Sequence, residues 1–417
     1  MSDRNDTCRN SNVIATADDA ILSKLYAHKK GYLNDPFVEH FATNATGLTT
    51  STTSSQTQAQ LQLRSTGSQP QFGRTLQFDR TLQNQHSGEP QRIGGQPLIR
   101  RGTFARVCCI DKAINVFMSS SPRGQVVVMG AGKDTNYFRY KTGLLQQQTK
   151  PTSSVKWYDV DFDSVMETKR QLIGKLPQNC TPPSQATQDD KYYLVGYDLS
   201  QPPNQLFDIL ENKYEFDPNE QTLFVFECVL MYLTKHNVQE LLSFISKTCR
   251  LAVVVIYDPL ILEDSFGQVM LQHLIRARLI KQEQSSLLAT RTLDSMITML
   301  RQQCGFDIAI GANMVDAYDT ILSHAQRMHA NHCEMLDELE EWHLLMSHYC
   351  LVVATKFNGA SDITPQEEQL VNNFTFVKLN QSTPFILKTP QSQSGHNDNI
   401  QPCMGFIRGK CSLPVVG

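Results

Sequence analysis

Five short apolar runs alternate with amphipathic stretches through the middle of the chain, and this alternation restricts the fold more than any other feature. The runs lie at 126–130, 155–162, 192–199, 222–233 and 251–260. Each has the length and composition of a buried strand, and none is long enough to cross a bilayer. Strands that alternate with helices build a mainly parallel sheet covered on both faces. The sequence therefore predicts an α/β fold with helical additions.

The intervening stretches have the 3.6-residue periodicity of helices. Helices are predicted at 104–120, 163–176, 203–214, 235–249 and 265–279. Further on, residues 333–356 begin as an acidic helix and end in the strand-like run "YCLVVATK". We expect this last strand to pair at the edge of the sheet.

Two segments differ in composition from the rest of the chain. Residues 44–96 are rich in Ser, Thr, Gln and Gly, and the end of the chain from about 388 is similar. Such segments cannot bury enough apolar surface to offset chain entropy. We therefore predict an N-terminal helical lid segment (1–43), a disordered insertion (44–96), a catalytic domain (97–357) and a largely disordered C-terminal extension (358–417).

Charge and cysteine content exclude several classes of function. The 38 Lys and Arg against 41 Asp and Glu give a net charge of −3, so no basic field attracts nucleic acid or anionic lipid. The N-terminus lacks the apolar core of a secretory signal, which favours a cytoplasmic protein with reduced thiols. None of the 11 cysteines forms a Cys-x-x-Cys pair, and His343 and His348 lack metal-site spacing. No metal and no membrane contact are expected.

Glycines and acids stand where the predicted strands end. "VVVMGAGKD" places Gly130 and Gly132 after the first strand, and Asp161 ends the second. In open α/β sheets, ligands bind at the carboxyl ends of strands, where an acid after the second strand commonly binds ribose hydroxyls. The third glycine of a dinucleotide fingerprint is replaced by Thr135, and Asp161 comes 31 residues after Gly130 rather than about 20. A ribose-bearing ligand without a diphosphate, such as S-adenosylmethionine, is favoured, although Gly-Ala-Gly alone is also a common turn.

Other polar residues in this arrangement have two interpretations each. Glu227 lies in an apolar run and needs a partner, which a purely structural salt bridge would also supply. Lys24 and Arg106 precede the sheet and would suit a carboxylate, yet single cations are more often solvated surface residues. The acids of "DVDFD" at 159–163 lack the glycine and closing glutamate of an EF-hand, so calcium is disfavoured.

Seven segments, in this order, resemble the leucine carboxyl methyltransferase family. They are "LSKLYAHKKGYLNDPFVEHF", "IRRGTFARV", "VVVMGAGKDTNYFR", "YDVDF", "YLVGYDL", "FECVLMYL" and "MSHYCLVVATK", and the resemblance covers about 20–43 and 97–357. It implies a Rossmann-like class I methyltransferase fold and S-adenosylmethionine as cofactor. It also implies methyl esterification of the C-terminal leucine carboxylate of the protein phosphatase 2A catalytic subunit, a modification that regulates assembly of the phosphatase holoenzyme.

The resemblance gives each candidate residue a role. Lys24 and Arg106 would lie near the methionine carboxylate of the cofactor and near the substrate terminus. The others would contact the cofactor, with Tyr232 as a substrate contact; these are Gly130 beneath it, Asp161 at the ribose, Asp198 and Leu199 beside adenine, and Glu227 after the fourth strand. A carboxylate is ionised at pH 7, so no residue is expected to act as a general base.

One departure and two alternatives qualify this interpretation. The 44–96 insertion replaces the short linker that the family has between the segments of Lys24 and Arg106, so the pocket needs the N-terminal segment to fold back. A second branch of the family acts on tRNA in wybutosine formation and carries a propeller, but this chain shows no blade repeats and is slightly acidic. A non-catalytic relative is the other alternative. We expect a monomer whose partner is the phosphatase tail.

Overall fold

A computed structural model describes residues 2–43, 96–121, 123–145, 155–176, 191–280, 284–358 and 365–374 of the 417-residue chain. The strands in these ranges are β1 (Gln125–Met129), β2 (Lys156–Asp161), β3 (Lys191–Gly196), β4 (Thr222–Glu227), β5 (Leu251–Pro259), β6 (Ile308–Asn313) and β7 (Tyr349–Phe357). The helices are α1 (Ser2–Lys29), α2 (Phe37–Phe41), α3 (Pro97–Ser120), α4 (Asn136–Lys141), α5 (Asp163–Ile173), α6 (Pro203–Tyr214), α7 (Lys235–Thr248), α8 (Ser265–Arg276), α9 (Ser286–Ala289), α10 (Leu293–Thr298), α11 (Met314–Thr320), α12 (His324–Cys333), α13 (Leu339–Ser347) and α14 (Pro365–Asn373).

The seven strands form one sheet in the order β3-β2-β1-β4-β5-β7-β6. The pairs from β3 to β5 are parallel, and β7 is antiparallel to both β5 and β6. The chain runs outward from β1 to β3 and then returns to β4 on the other side of β1. The predicted Rossmann-like α/β fold with a mainly parallel sheet is confirmed, and the first five predicted strands are all present.

Three details of the sequence prediction were wrong. The strand "YCLVVATK" is not at the edge, because β6, which was not predicted, pairs with its outer side. The run 222–233 stops being a strand at Glu227 and ends in a 3-10 turn, Leu230–Tyr232. The helix expected to begin near Arg106 begins at Pro97, which is a favourable first helical residue because it has no N–H to satisfy.

Apolar side chains are buried on both faces of the sheet, as a parallel sheet covered by helices requires. On one face, Val126 and Val128 join a cluster with α3, α5, α11 and α13. On the other face, Val127 and Met129 join a cluster with α6, α7 and α10. Alternate residues of β1 therefore anchor both helical layers, and the end of β1 is held rigidly between them.

Parts of the predicted domain division lie outside the described residues. The 44–96 segment is one of them, except for Gln96, which precedes α3. Most of 358–417 is another, but within it α14 forms a helix, and Leu370 and Phe374 are buried in the cluster that contains α3. Among the described residues, no helix has the length and apolar content that spanning a bilayer requires.

Candidate functional site

The candidate site lies where the strand order reverses, between the carboxyl ends of β1 and β4. This switch point is where open α/β sheets bind ligands, because the loops that follow the two strands diverge and leave a crevice. The structure brings all eight predicted site residues to the wall of one cavity there: Lys24, Arg106, Gly130, Asp161, Asp198, Leu199, Glu227 and Tyr232.

The turn after β1 forms the floor of this cavity, and its backbone requires glycine. Gly130 has a φ of 65°, in the left-handed region that side chains disfavour. A Cβ on Gly130 would lie 2.5 Å from Cγ2 of Val229, a residue of the loop after β4. The backbone at Gly130 is therefore in van der Waals contact with the neighbouring loop, and no side chain fits between them.

Asp161, at the end of β2, is tied to the same turn. Its Oδ2 accepts a hydrogen bond from the Gly132 N–H at 2.7 Å, and its Oδ1 accepts one from the Phe162 N–H at 2.7 Å. Burial raises the pKa of the Asp161 carboxyl, and the two backbone donors oppose that rise. The carboxyl group is thus fixed in orientation, and its remaining lone pairs are available to hydroxyl donors in the cavity.

Two cations face two acids across the cavity. The Nζ of Lys24 lies 3.0 Å from Oδ1 of Asp134 and 3.5 Å from Oε2 of Glu227. The Nε of Arg106 lies 3.0 Å from Oε1 of Glu227. The partner that Glu227 needs in its apolar run is therefore this pair of cations, which come from α1 and α3.

The electrostatics of this cluster keep its members charged. Burial lowers the pKa of the Lys24 ammonium, but Glu227 and Asp134 outweigh it and the pKa is raised overall. Burial likewise lowers the pKa of the Arg106 guanidinium, while Glu227 raises it, with a net increase. Burial raises the pKa of the Asp134 carboxyl, but Lys24 brings it below its usual value. Two fixed positive charges therefore line the cavity at neutral pH.

The Arg106 guanidinium is held by its surroundings rather than by one aligned hydrogen bond. Its Nε is close to Glu227, yet this N–H makes no hydrogen bond of good geometry, so the contact is an ion pair. Its Nη2 donates to Oγ of Ser23 at 3.2 Å, and its central carbon lies 5.7 Å from the centre of the Tyr257 ring. The aromatic face and the helix α1 thus fix the guanidinium plane.

The remaining predicted residues lie at two other parts of the wall. The Oδ1 of Asp198 accepts the Ser200 N–H at 2.9 Å, which turns the chain directly after β3, and Leu199 is buried beside it. Tyr232 and Thr16 of α1 both line the cavity, and burial raises the pKa of the Tyr232 phenol, so that its hydroxyl stays protonated.

The N-terminal segment folds back over the cavity, as the predicted pocket requires. A buried contact that the sequence analysis did not identify holds it there: Oδ2 of Asp35 accepts a hydrogen bond from Oγ1 of Thr135 at 2.6 Å. The Oδ1 of Asp35 accepts a hydrogen bond from the Phe37 N–H at 3.1 Å, and the Nε of Arg139 lies 3.9 Å from its Oδ2. Asp35 therefore links the N-terminal segment to the residues that follow the glycine turn.

We expect Asp35→Ala to lower the free energy of unfolding by about 3 kcal/mol, because it leaves the buried Thr135 hydroxyl and the Phe37 N–H without an acceptor. Arg139 keeps its hydrogen bonds to Asp111. Chemical denaturation followed by circular dichroism measures this change. Asp208→Ala, which removes an exposed acid on α6, is the matched control and should change stability by less than about 0.5 kcal/mol. Equal effects for the two variants would contradict the linking role.

Sequence analysis missed Asp134, Ser23, Thr16 and Tyr257, although each contacts a residue that it did identify. Asp134 stands in the motif "VVVMGAGKD" itself and could have been selected as the partner of a nearby cation. The other three gave no signal, since a serine, a threonine and an aromatic residue in helical or strand-like runs are ordinary core or surface residues.

His343, His348 and the described cysteines other than Cys228, which lines the cavity, lie apart from this chemistry. His348 is fully buried and its Nε2 lies 3.0 Å from Oδ1 of Asp264, while His343 is exposed. Among the residues that the structure describes, no group of three or more His, Cys, Asp or Glu side chains could hold a metal ion. Seven cysteines have described side chains, and all seven are free thiols.

Comparison with known proteins places this geometry in a family. The sequence profile of leucine carboxyl methyltransferases matches residues 12–246, which include all eight site residues. A leucine carboxyl methyltransferase 1 of Yarrowia lipolytica is 28% identical over 366 residues, covering 83% of this chain and 98% of that protein. The protein of that name in Rattus norvegicus is 30% identical over 278 residues, covering 62% of this chain and 78% of its own length.

A relative with a different name is similar to a comparable degree. The tRNA wybutosine-synthesizing protein 4 of Homo sapiens is 28% identical over 309 residues, covering 69% of this chain and 42% of that protein. The chain belongs to the leucine carboxyl methyltransferase family.

Proposed function

We propose that this protein is an S-adenosylmethionine-dependent methyltransferase that esterifies the C-terminal leucine carboxylate of the protein phosphatase 2A catalytic subunit. The observation that carries this proposal is a pair of cations, the buried Lys24 and the half-buried Arg106, beside a glycine turn and a fixed aspartate. Each cation has more N–H donors than its contacts with Asp134 and Glu227 use, so the pair suits further carboxylates, one on the methyl donor and one on the acceptor. The family membership and the names of the Yarrowia and rat relatives support a leucine carboxyl group as the acceptor.

The residues of the cavity fit S-adenosylmethionine. Gly130 has no side chain, and Val229 fills the position that a Cβ would take, so backbone of the turn itself lines the cavity. The fixed carboxyl of Asp161 suits ribose hydroxyls, and the apolar Leu199 with Asp198 suits a purine edge and face. Lys24 and Arg106 would hold the methionine carboxylate. When bound, this cofactor supplies an electrophilic methyl group on a sulfonium.

The chain itself has to position and desolvate the acceptor. A carboxylate is ionised at neutral pH, so no side chain has to remove a proton from it. Arg106 and Tyr232 would hold the acceptor carboxylate, so that one of its oxygens is in line to attack the methyl carbon of the donor. The helix α1 covers the cavity and would exclude water, which would otherwise solvate and weaken the nucleophile.

We expect Asp161→Ala to weaken binding of S-adenosylmethionine by about 10- to 100-fold, since it removes the hydroxyl acceptor and leaves two backbone N–H groups without a partner. Isothermal titration calorimetry measures this directly. Asp163→Asn changes an exposed acid two residues further on and should leave the affinity within about threefold. An unchanged affinity in Asp161→Ala would remove this residue from the cofactor site.

Titration of the unmodified protein with S-adenosylmethionine and with its product, S-adenosylhomocysteine, tests the enzyme assignment. We expect micromolar binding of both and no binding of NAD, whose diphosphate the turn does not suit because Thr135 replaces the third glycine. If neither sulfur compound binds, the protein is a non-catalytic relative.

A tRNA acceptor is the second candidate, because the human wybutosine protein is 28% identical to this chain. The net charge of −3 favours the protein acceptor, since tRNA binding is supported by positive surface charge. We further propose that the protein acts as a cytoplasmic monomer that contacts the phosphatase tail.

A further inference from the structure

Asp258, near the end of β5, is a buried carboxyl group that has no part in the function proposed above. It is 1% exposed, and within the described part of the chain its Oδ1 has no hydrogen-bond partner. The backbone N–H groups of Val229 and Met231 lie near the carboxyl group and act to lower its pKa. No Lys, Arg or His side chain among the described residues forms an ion pair with it. A buried acid with these surroundings requires an explanation.

The segment that Asp258 contacts, residues 228–232, forms one side of the cavity. Cys228 has a φ of 54°, which is unfavourable for a residue with a side chain, and its N–H donates to the Tyr257 carbonyl at 2.7 Å. Val229 contacts the floor at Gly130, and Tyr232 lines the cavity. The strained backbone at Cys228 needs neighbours that hold it, and the N–H groups of Val229 and Met231 lie beside the Asp258 carboxyl group.

The chemistry of the surroundings favours the neutral acid. An ionised carboxylate buried without a cation is costly, whereas the protonated form is not. The titratable groups near it are Cys228, Tyr232, Tyr349 and Cys350, and each would become negative on ionisation. Burial raises the pKa of Asp258 well above its usual value, and the backbone donors do not cancel that rise.

We propose that Asp258 is a positioning residue whose protonated carboxyl group holds residues 228–232 against Gly130 and so shapes the floor of the cofactor cavity. The effect on cofactor binding rests on the function proposed above, but the protonation state does not. Asparagine supplies the same carbonyl acceptor and carries no charge, so Asp258→Asn should retain the position of residues 228–232. Alanine supplies no acceptor, so Asp258→Ala should lose it.

The test compares Asp258→Asn, Asp258→Ala and the unmodified protein by calorimetry with S-adenosylmethionine. Asp258→Asn should bind within about threefold of the unmodified protein, and Asp258→Ala should bind at least tenfold more weakly. An Asn variant as weak as the Ala variant, or an Ala variant that binds normally, would overturn the positioning role. If the unmodified protein binds no cofactor, the proposed function fails and the pH measurement below still decides on the protonation state.

Thermal unfolding between pH 5 and pH 8 supplies a readout that a purely structural contact would not change. The folded protein keeps the Asp258 proton to a higher pH than the unfolded chain does, so stability that depends on this proton is lost as pH rises above about 4. Asp258→Asn has no such proton and does not lose this stability. The Tm of Asp258→Asn minus the Tm of the unmodified protein should therefore increase from pH 5 to pH 8. Asp307 is an exposed acid directly before β6, and the control variant Asp307→Asn should show no comparable trend. A Tm difference that stays constant for Asp258→Asn would overturn the neutral acid.

Discussion

Replacing Arg106 with alanine is expected to reduce methyl transfer to the phosphatase by about 1,000-fold, the loss typical when a charge-stabilising donor is removed from a preorganised site. Arg106 is the cation closest to Glu227, and its plane is fixed by Ser23 and the Tyr257 ring. The variant also leaves Glu227 with only the longer 3.5 Å contact to Lys24. Incorporation of labelled methyl into the phosphatase catalytic subunit measures the effect.

Two companion variants identify the cause of that loss. Arg106→Lys retains a charge but loses the planar fork, so a partial recovery of less than about tenfold would indicate that geometry matters as well as charge. Arg170→Ala removes an arginine from an exposed ion pair with Glu167 on α5 and should leave activity unchanged. Methyl transfer by Arg106→Ala at the unmodified rate would refute the role of Arg106.

Replacing Gly130 with alanine is expected to lower the free energy of unfolding by about 2–5 kcal/mol and to abolish measurable cofactor binding. The left-handed backbone costs about 1–2 kcal/mol for a residue with a Cβ, and overpacking adds about 1–3 kcal/mol. The new Cβ would lie 2.5 and 3.0 Å from the two methyl groups of Val229 and 3.3 Å from its Cβ. Rotation of this branched side chain cannot clear all three contacts.

Gly143 supplies a matched control, because it has a φ of 77° but no heavy atom of the described residues within 4 Å of an added Cβ. Gly143→Ala should therefore show the backbone cost alone and bind cofactor normally. The double variant Gly130→Ala/Val229→Ala should recover stability relative to the sum of its single variants, with a coupling energy of about 1–3 kcal/mol. Additive effects would show that the two loops do not touch in solution.

The alternating strands and helices were predictable because their periodicities are set by burial on both faces of the sheet. The strand β6 was not predictable on the same grounds: "IAIGAN" contains a glycine and two alanines, which have low strand propensity. Its pairing with β7 depends on tertiary contacts, since antiparallel partners far apart in sequence leave no local signal.

The candidate site was predictable where chemistry falls at the end of a strand. Gly130, Asp161 and Glu227 stand out in sequence because each interrupts an apolar run. Asp35 lies in no such run, and Asp258 interrupts the run at 251–260 but was not selected. The importance of both comes from distant groups that meet them: Thr135 and Arg139 at the first, Val229 and Met231 at the second. Such pairings depend on how the N-terminal segment and the loop after β4 return to the sheet.

One measurement tests the central claim most directly: incubation with labelled S-adenosylmethionine and, in parallel, the intact phosphatase 2A catalytic subunit, the same subunit without its C-terminal leucine, and bulk tRNA. We predict base-labile label on the intact subunit alone, since a methyl ester is cleaved by mild alkali, and none after removal of the leucine. Label on tRNA, or equal label on the truncated subunit, would contradict esterification of the C-terminal leucine.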